Sequence, residues 1–469
     1  MKQDTRKWPV ILAVLLGTFT VILNTSLLNP ALPAFAEQFK VDELSVSWII
    51  NIYVLVMGLT LPLTGFFSRK FGSKKVYLVG LVLFLIGSAL AAVCGNLAAL
   101  IACRALQGFG AGLLMPLSIT LIFTAVPAQE RGMATGIWGV VSMLAPTIGP
   151  TLGGLIIDHK DPSLLFLINL PTCLLGLITA VRFLKASDSD NKQDSPFDAK
   201  GYLYLSAGIG LSLYALGNMN TVENVSSLFH WGLLLAGICC IIIFIFGRRK
   251  HSLLNLSLLK IQQFRVGTIV TTLTAVGYYL SFLLIPIIIQ NVYHYSATYT
   301  GLLFIPDAVM TGIFMLAGGK ILDRKGARNV VAWGLGITGV TTLLLGCLTS
   351  TTSFWFITLL MAVRGAGFGL SSIPATTAGL GALPEDSLVE GSVLNDLIEQ
   401  IVSSVAIVIC LLAFVIWRDA SAVSQHHSIE AASLNVSNGL FIALGIVIFF
   451  VLFVWLRSSP KPSQDVVRQ

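Results

Sequence analysis

The sequence predicts an all-α integral membrane protein that crosses the bilayer fourteen times. Three observations carry that expectation. Only 11% of the 469 residues are charged, 55% are hydrophobic, and the mean hydropathy is +0.86. A soluble globular protein has about 25% charged residues, so this chain has too little polar surface to cover a water-soluble particle of its size. Apolar stretches alternate with short charged breaks, and each is about 20 residues long, the length a helix needs to cross a hydrocarbon core about 30 Å thick. The stretches are uniformly apolar rather than alternating, which excludes barrel strands and leaves helices as the way to satisfy the backbone in lipid.

The expected helices lie near 9–32, 46–67, 76–95, 98–126, 132–157, 163–183, 200–218, 229–247, 265–290, 297–319, 329–348, 353–380, 391–416 and 437–457. Lys2, Arg6 and Lys7 precede the first apolar run, which continues past Leu28 without a small-residue cleavage site. It therefore reads as the first span rather than a signal peptide. Lys and Arg set the orientation. With both termini in the cytoplasm, only Lys40, Lys160 and Arg418 of the 29 Lys and Arg fall outside, and Arg104 and Arg364 lie within spans. Ser187–Lys200 reads as a polar cytoplasmic linker, Arg248–Phe264 as an amphipathic connector at the inner surface, and Arg418–Val436 as the longest outer loop.

The net charge of +7 comes from basic residues in short loops, so the partner it predicts is the anionic inner leaflet and not nucleic acid. The seven cysteines fall in apolar spans with no metal-ligand spacing and read as small packing residues. There is no phosphate loop, metal cluster or nucleophile elbow, hence no expected enzyme activity, metal or cofactor.

The chain repeats itself. Gly65-Phe-Phe-Ser-Arg69-Lys-Phe-Gly72-Ser-Lys-Lys follows the second span, and Gly319-Lys-Ile-Leu-Asp323-Arg324-Lys-Gly326-Ala-Arg328 follows the tenth. Arg104-Ala-Leu-Gln107-Gly108 is matched by Arg364-Gly-Ala-Gly367. Both pairs are separated by roughly 255–260 positions, which argues for two homologous halves. Six helices need less chain than that, so two further helices are expected between the halves. The resulting division is an N-terminal six-helix bundle over 1–184, a linker with two intervening helices and a connector over 185–264, and a C-terminal bundle over 265–469.

On these motifs the chain resembles the major facilitator superfamily, in particular its fourteen-helix drug–proton antiporter branch. The loop Gly319–Arg328 is similar to the superfamily's Gly-x-Leu-x-Asp-Arg-x-Gly-x-Arg pattern. The fifth span carries Ala145-Pro146-Thr-Ile-Gly149-Pro150-Thr-Leu-Gly153-Gly154, which looks like the antiporter signature, and Leu23–Pro33 resembles the branch's first-helix motif. The resemblance implies that the fifth helix packs against the opposite half and seals one face. Small residues permit the close approach, and Pro146 and Pro150 bend the helix. The loops Gly65–Lys75 and Gly319–Arg328 can clamp the cytoplasmic side, with Asp323 accepting helix N-terminal NH groups or pairing with Arg324 or Arg328. Setting topology is an equally open role for their basic residues.

Charges within spans mark function, because each costs several kcal/mol unless paired or wet. They are Arg104, Arg364, Asp307, Asp396 and Glu399. In the resembling antiporters the arginine of the fourth span works with a first-helix acid. Asn24 stands in that place here, which removes an expected proton carrier. Asp307, Asp396 and Glu399 are the alternative carriers, and Asp396 and Glu399 share a helix face because they are three apart. For substrate contacts the candidates are Asn24, Asn51, Arg104, Gln107, Trp138, Met143, Tyr278, Tyr279 and Phe282.

The expected function is alternating-access export of small amphipathic compounds, lipophilic or cationic, in exchange for protons, as in multidrug efflux. Substrate, protons and lipid are the expected partners. The protein is expected to be a monomer in a bacterial inner membrane. A dedicated exporter of one metabolite, siderophore or lipid-like product, with weak or no proton coupling, is the second reading. A membrane receptor or scaffold is the third.

Overall fold

The computed structural model describes residues 4–157, 162–184, 197–218, 227–247, 254–425 and 429–458. Among these residues the regular structure is helical, with no strand. The α-helices are α1 (Asp4–Leu28), α2 (Leu32–Phe39), α3 (Glu43–Phe71), α4 (Ser73–Ala91), α5 (Leu97–Ala125), α6 (Arg131–Ile157), α7 (Asn169–Phe183), α8 (Ala199–Asn218), α9 (Leu228–Phe246), α10 (Gln262–Asn291), α11 (Ala297–Lys325), α12 (Ala327–Leu345), α13 (Phe354–Gly381), α14 (Leu388–Gln425) and α15 (Ile429–Ser458). Thirteen of them are long and apolar enough to cross a membrane. The short α2 and the less apolar α8 are outside that set. α8 has 20 residues and lies backbone to backbone on α9, where a Cβ on Gly208 would sit 3.0 Å from the Gly237 carbonyl oxygen.

Two expected boundaries differ. The first helix stops at Leu28, turns through a 3-10 segment at Asn29–Ala31, and resumes as α2. Pro30 and Pro33 each lack the NH that would continue the helical ladder. The expected outer loop 418–436 is helical to Gln425 and again from Ile429. Its polar composition reads as a loop, yet it holds no Gly or Pro to break a helix. Lys160, Lys192, Arg248–Lys250 and the tail after Ser458 lie outside the described residues.

The two bundles each bury their own core. In the first, Val14, Tyr77, Phe84, Leu114 and Cys173 pack together. In the second, Ile285, Leu345, Met361 and Phe441 do so. α8 rests on α3 of one bundle and α14 of the other. Leu61, Leu205, Ile209, Val393 and Leu397 join there in one apolar cluster. The intervening pair thus covers a lateral seam between the halves.

The repeated loops are one-residue turns among the described residues. Gly72 has φ +85° and Gly326 has φ +78°, a region that a side chain disfavours and glycine tolerates. Each glycine reverses the chain between two helices within a single residue. Both turns lie on the face where α1 begins and α15 ends, the terminal face. There Asp323 reaches across to the first turn of α6, accepting from the backbone NH of Gly132 at 2.8 Å and of Met133 at 2.7 Å. Arg324 points out to solvent and Arg328 gives its carbonyl to Trp455, so helix capping is the role Asp323 takes. A carboxylate at a helix N-terminus satisfies orphan NH groups and meets the positive end of the dipole.

The other half closes the same way with the charges exchanged. Arg69, at the position equivalent to Asp323, forms an ion pair with Glu390 in the first turn of α14, and Gly65 leaves room beside the Glu390 side chain. Between these contacts α6 and α11 meet backbone on backbone. A Cβ on Gly319 would run into the Gly132 carbonyl, and a Cβ on Gly136 would sit 2.7 Å from the Met315 carbonyl oxygen. Thr135 and Thr377 hydroxyls bond at 2.7 Å.

The expected sealing string of α6 faces elsewhere. The atoms nearest a Cβ on Gly149 belong to Ser26, and those nearest Gly153 are the Leu27 carbonyl and Pro30. Ser26 also donates to the Ala145 carbonyl at 3.1 Å. Gly149 and Gly153 therefore pack α6 onto α1 of the same half. Contact with the opposite half comes from the three earlier glycines, Gly132, Gly136 and Gly139. Pro146 is exposed, and the surroundings of Pro150 and Gly154 lie outside the described residues.

Gly319→Leu should hold the terminal face open, since overpacking costs about 1–3 kcal/mol. Spin labels placed across α6 and α11 at that face should move apart in the variant. An unchanged distance would show that this contact does not set the closure.

Candidate functional site

The five charges within the spans form three unlike sites. In the second half, Arg364 on α13 and Asp307 on α11 meet with Nη2 and Oδ1 3.4 Å apart, their side chains 3% and 1% exposed. Gly365 makes this possible, since any Cβ there would strike the Asp307 carbonyl. Arg364 Nη1 donates to Ser281 Oγ at 2.7 Å and the guanidinium stands 5.6 Å from the Tyr278 ring. The pair is incompletely satisfied: Asp307 Oδ2, Arg364 Nε and the nearby Thr311 Oγ1 have no partner among the described residues. A charge-assisted hydrogen bond is normally about 2.7–2.9 Å long, so this one is slack.

In the first half Arg104 on α5 is 0% exposed and has no carboxylate partner among the described residues. Nε donates to the Ile49 carbonyl at 2.8 Å, Nη1 to Gln107 Oε1 at 2.7 Å, and the guanidinium lies 4.2 Å from the Tyr53 ring centre. Gln107 passes the chain on to Ser88 at 2.7 Å. Asn24 does not replace the missing acid; it accepts from Asn169 Nδ2 at 2.8 Å. Carbonyl dipoles and an aromatic face therefore carry the buried cation.

Asp396 and Glu399 lie on one face of α14, each half-buried, within electrostatic reach of one another. Tyr279 stands within reach of Glu399 across the α10–α14 interface. Thr271 of α10 donates to Asn395 at 3.1 Å in the same interface.

The aromatic candidates separate. Tyr278 stacks on Phe368 at 4.7 Å and touches Phe282 at 4.8 Å, and Phe282 stacks on Phe304 at 4.2 Å. The Tyr278 hydroxyl reaches Met143 Sδ across the halves at 3.6 Å, and Trp138 joins the same apolar cluster while donating to Thr18 at 3.0 Å. Tyr279, 46% exposed, stands edge-on to Tyr278 at 6.2 Å on the outer side of this stack, and Asn51 is exposed on α3 with its amide on Ser47. Phe304, Phe368, Ser281 and Glu390 were not legible as site residues. A phenylalanine in an apolar run carries no mark that separates pocket from lipid. Beyond the stack, toward the far face, an open cleft of about 800 Å³ is lined by Tyr293, Tyr295, Tyr299, Phe354 and Trp355 and reaches Pro306, the neighbour of Asp307.

The sequence model of the Major Facilitator Superfamily matches residues 14–407. The chain belongs to the major facilitator superfamily. Among curated relatives of this superfamily member, the riboflavin transporter RibZ of Clostridioides difficile is 27% identical over 82% of this chain and 82% of its own. The multidrug export protein EmrB of Haemophilus influenzae is 28% identical over 93% and 87%. The human organic anion transporter MFSD10 shares the fold, with a TM-score of 0.65 and 16% identity over 95% of this chain and 99% of that one. The chain is thus a multi-pass membrane transporter by family.

Asp307→Asn should destabilise the protein by roughly 3–5 kcal/mol by leaving Arg364 buried without its counter-charge. Adding Arg364→Gln should recover most of the loss. Unfolding of both single variants and the double variant in detergent measures this, and losses that simply add would show that the two residues are not coupled.

Proposed function

We propose that this transporter exports small amphipathic compounds by alternating access of halves 1–184 and 265–469, in exchange for protons. The terminal face is then cytoplasmic, in a bacterial inner membrane. One observation carries the reading. The first half holds a buried cation without an acid, whereas the second half holds three acids and one cation. Proton coupling is therefore assigned to Glu399, Asp396 and Asp307. Substrate contact is assigned to the stack of Tyr278, Phe282 and Met143 with Trp138, at the meeting of the halves, where an aromatic platform suits a lipophilic body. Tyr279, Asn51, Asn24, Arg104 and Gln107 are assigned to the walls of the path around it. Arg364 holds Asp307, and the glycines and charges at Gly65–Gly72 and Gly319–Arg328 close the cytoplasmic end.

A dedicated single-metabolite exporter with weak coupling is the second reading. The missing carboxylate beside Arg104 favours it, and RibZ and EmrB are about equally similar to this chain.

Ethidium uptake into inverted vesicles distinguishes them. Acid-inside vesicles should take up the dye, collapse of the gradient should stop it, and Glu399→Gln should slow it about tenfold, a barrier rise of roughly 1.4 kcal/mol. Full proton-driven uptake by the Asp307→Asn, Asp396→Asn, Glu399→Gln triple variant would sink the carboxylate assignment. Uptake that persists without a gradient would favour the second reading.

A further inference from the structure

The interface of α10 and α14 holds a file of buried hydroxyls that the ion pairs and the aromatic stack leave unused. On α14, Ser392, Asn395, Asp396, Glu399 and Ser403 recur at intervals of three and four and so share one face. On α10, Thr268, Thr271 and Thr272 do the same. The Thr271–Asn395 hydrogen bond, 3.1 Å long, turns the two faces toward each other. Thr268, Thr272, Ser392 and Ser403 are 3%, 3%, 1% and 4% exposed, and none of their hydroxyls has a partner among the described residues. Many helical Ser and Thr among the described residues bond to a carbonyl one turn back, as Thr274 does to Val270 at 2.8 Å. These four do not.

A buried hydroxyl without a partner costs about 1–3 kcal/mol. Four in one interface are costly unless water bridges them, and buried water takes up such sites. Ser392 stands one turn from the start of α14 at the terminal face, and Glu399 lies about 10 Å of helix rise further in.

We propose that the α10–α14 seam is a water-lined path along which Glu399 and Asp396 exchange protons with the terminal face, separate from the route of the substrate. This rests on the reading of those two carboxylates as proton carriers. Beside the seam at that face, Ile119, Phe123, Phe264, Leu380 and Leu394 pack in one apolar cluster. Helices packed this closely leave no room for an amphipathic molecule along the seam, whereas a proton moves from hydroxyl to water to hydroxyl. In the step itself a protonated Glu399 gives its proton to the adjacent water, the proton leaves past Thr268 and Ser392, and the carboxylate remains. The groups around Glu399 that share its titration are Asp396 on its own helix and Tyr279 on α10. At the mouth, Glu390 is held by Arg69 of α3.

The test uses the full chain in lipid and needs no substrate. Infrared difference spectra after a pH jump follow the carboxyl band that Glu399→Gln removes. Thr268→Val and Ser392→Ala should each slow that band about tenfold without changing its end point, and Thr268→Ser should restore the parent rate. Both apolar variants should unfold close to the parent, because Thr268→Val exchanges the hydroxyl for a methyl group of the same shape and Ser392→Ala removes a single oxygen, so a slowed band is not a symptom of lost packing. A band that titrates at the parent rate in both variants overturns the seam alone. A band that never titrates in the parent overturns the carrier assignment, and the seam falls with it.

Discussion

The rest of the structure depends on the contact of α6 with α11 at the terminal face. Two backbones can meet there only because Gly132, Gly136 and Gly319 carry no side chain. Once they meet, Asp323 is in reach of the α6 N-terminus and the two hydroxyls of Thr135 and Thr377 close to hydrogen-bond distance. Packing in lipid has little hydrophobic driving force, so close approach and a few polar contacts must hold the halves together. Such contacts are discrete and can be released together, which suits the alternating access proposed above.

The two halves share a backbone plan and differ in charge. Each has a glycine turn, an arginine in its fourth helix and a tyrosine under that arginine. The repeated loop keeps its geometry while exchanging the sign of its key residue, Arg69 against Asp323, and the receiving helix adapts by supplying Glu390 or bare NH groups. The same exchange occurs deeper in the membrane. Arg364 has Asp307, whereas Arg104 has carbonyl oxygens, Gln107 and the Tyr53 ring. A duplicated fold constrains where a charge can sit more tightly than which charge it is.

Much of the fold was legible because the bilayer imposes length and polarity on each span. The expected helices appear in order, and the misjudged boundaries fall where that constraint is absent. Past the hydrocarbon, polar residues such as those after Arg418 no longer tell loop from helix, and Pro30 acts through a missing NH that an apolar count does not register. The candidate site was legible in part. Buried charges announce themselves by their cost, so Arg104, Arg364, Asp307, Asp396 and Glu399 were found without a structure. Phe304 and Phe368 were not, because they look like every other apolar residue.

The sequence alone determined the helical membrane class, the order of the helices, the repeated motifs and the five charges inside the spans. These follow from composition, periodicity and the price of charge in lipid. Tertiary structure decided the partners: that Arg364 takes Asp307, that Asn24 turns to Asn169, that Gly149 and Gly153 serve their own half, and that Thr268 and Ser392 face one interface. Partners are set by the crossing of helices distant in sequence, and no single helix carries the information that fixes its rotation against the next.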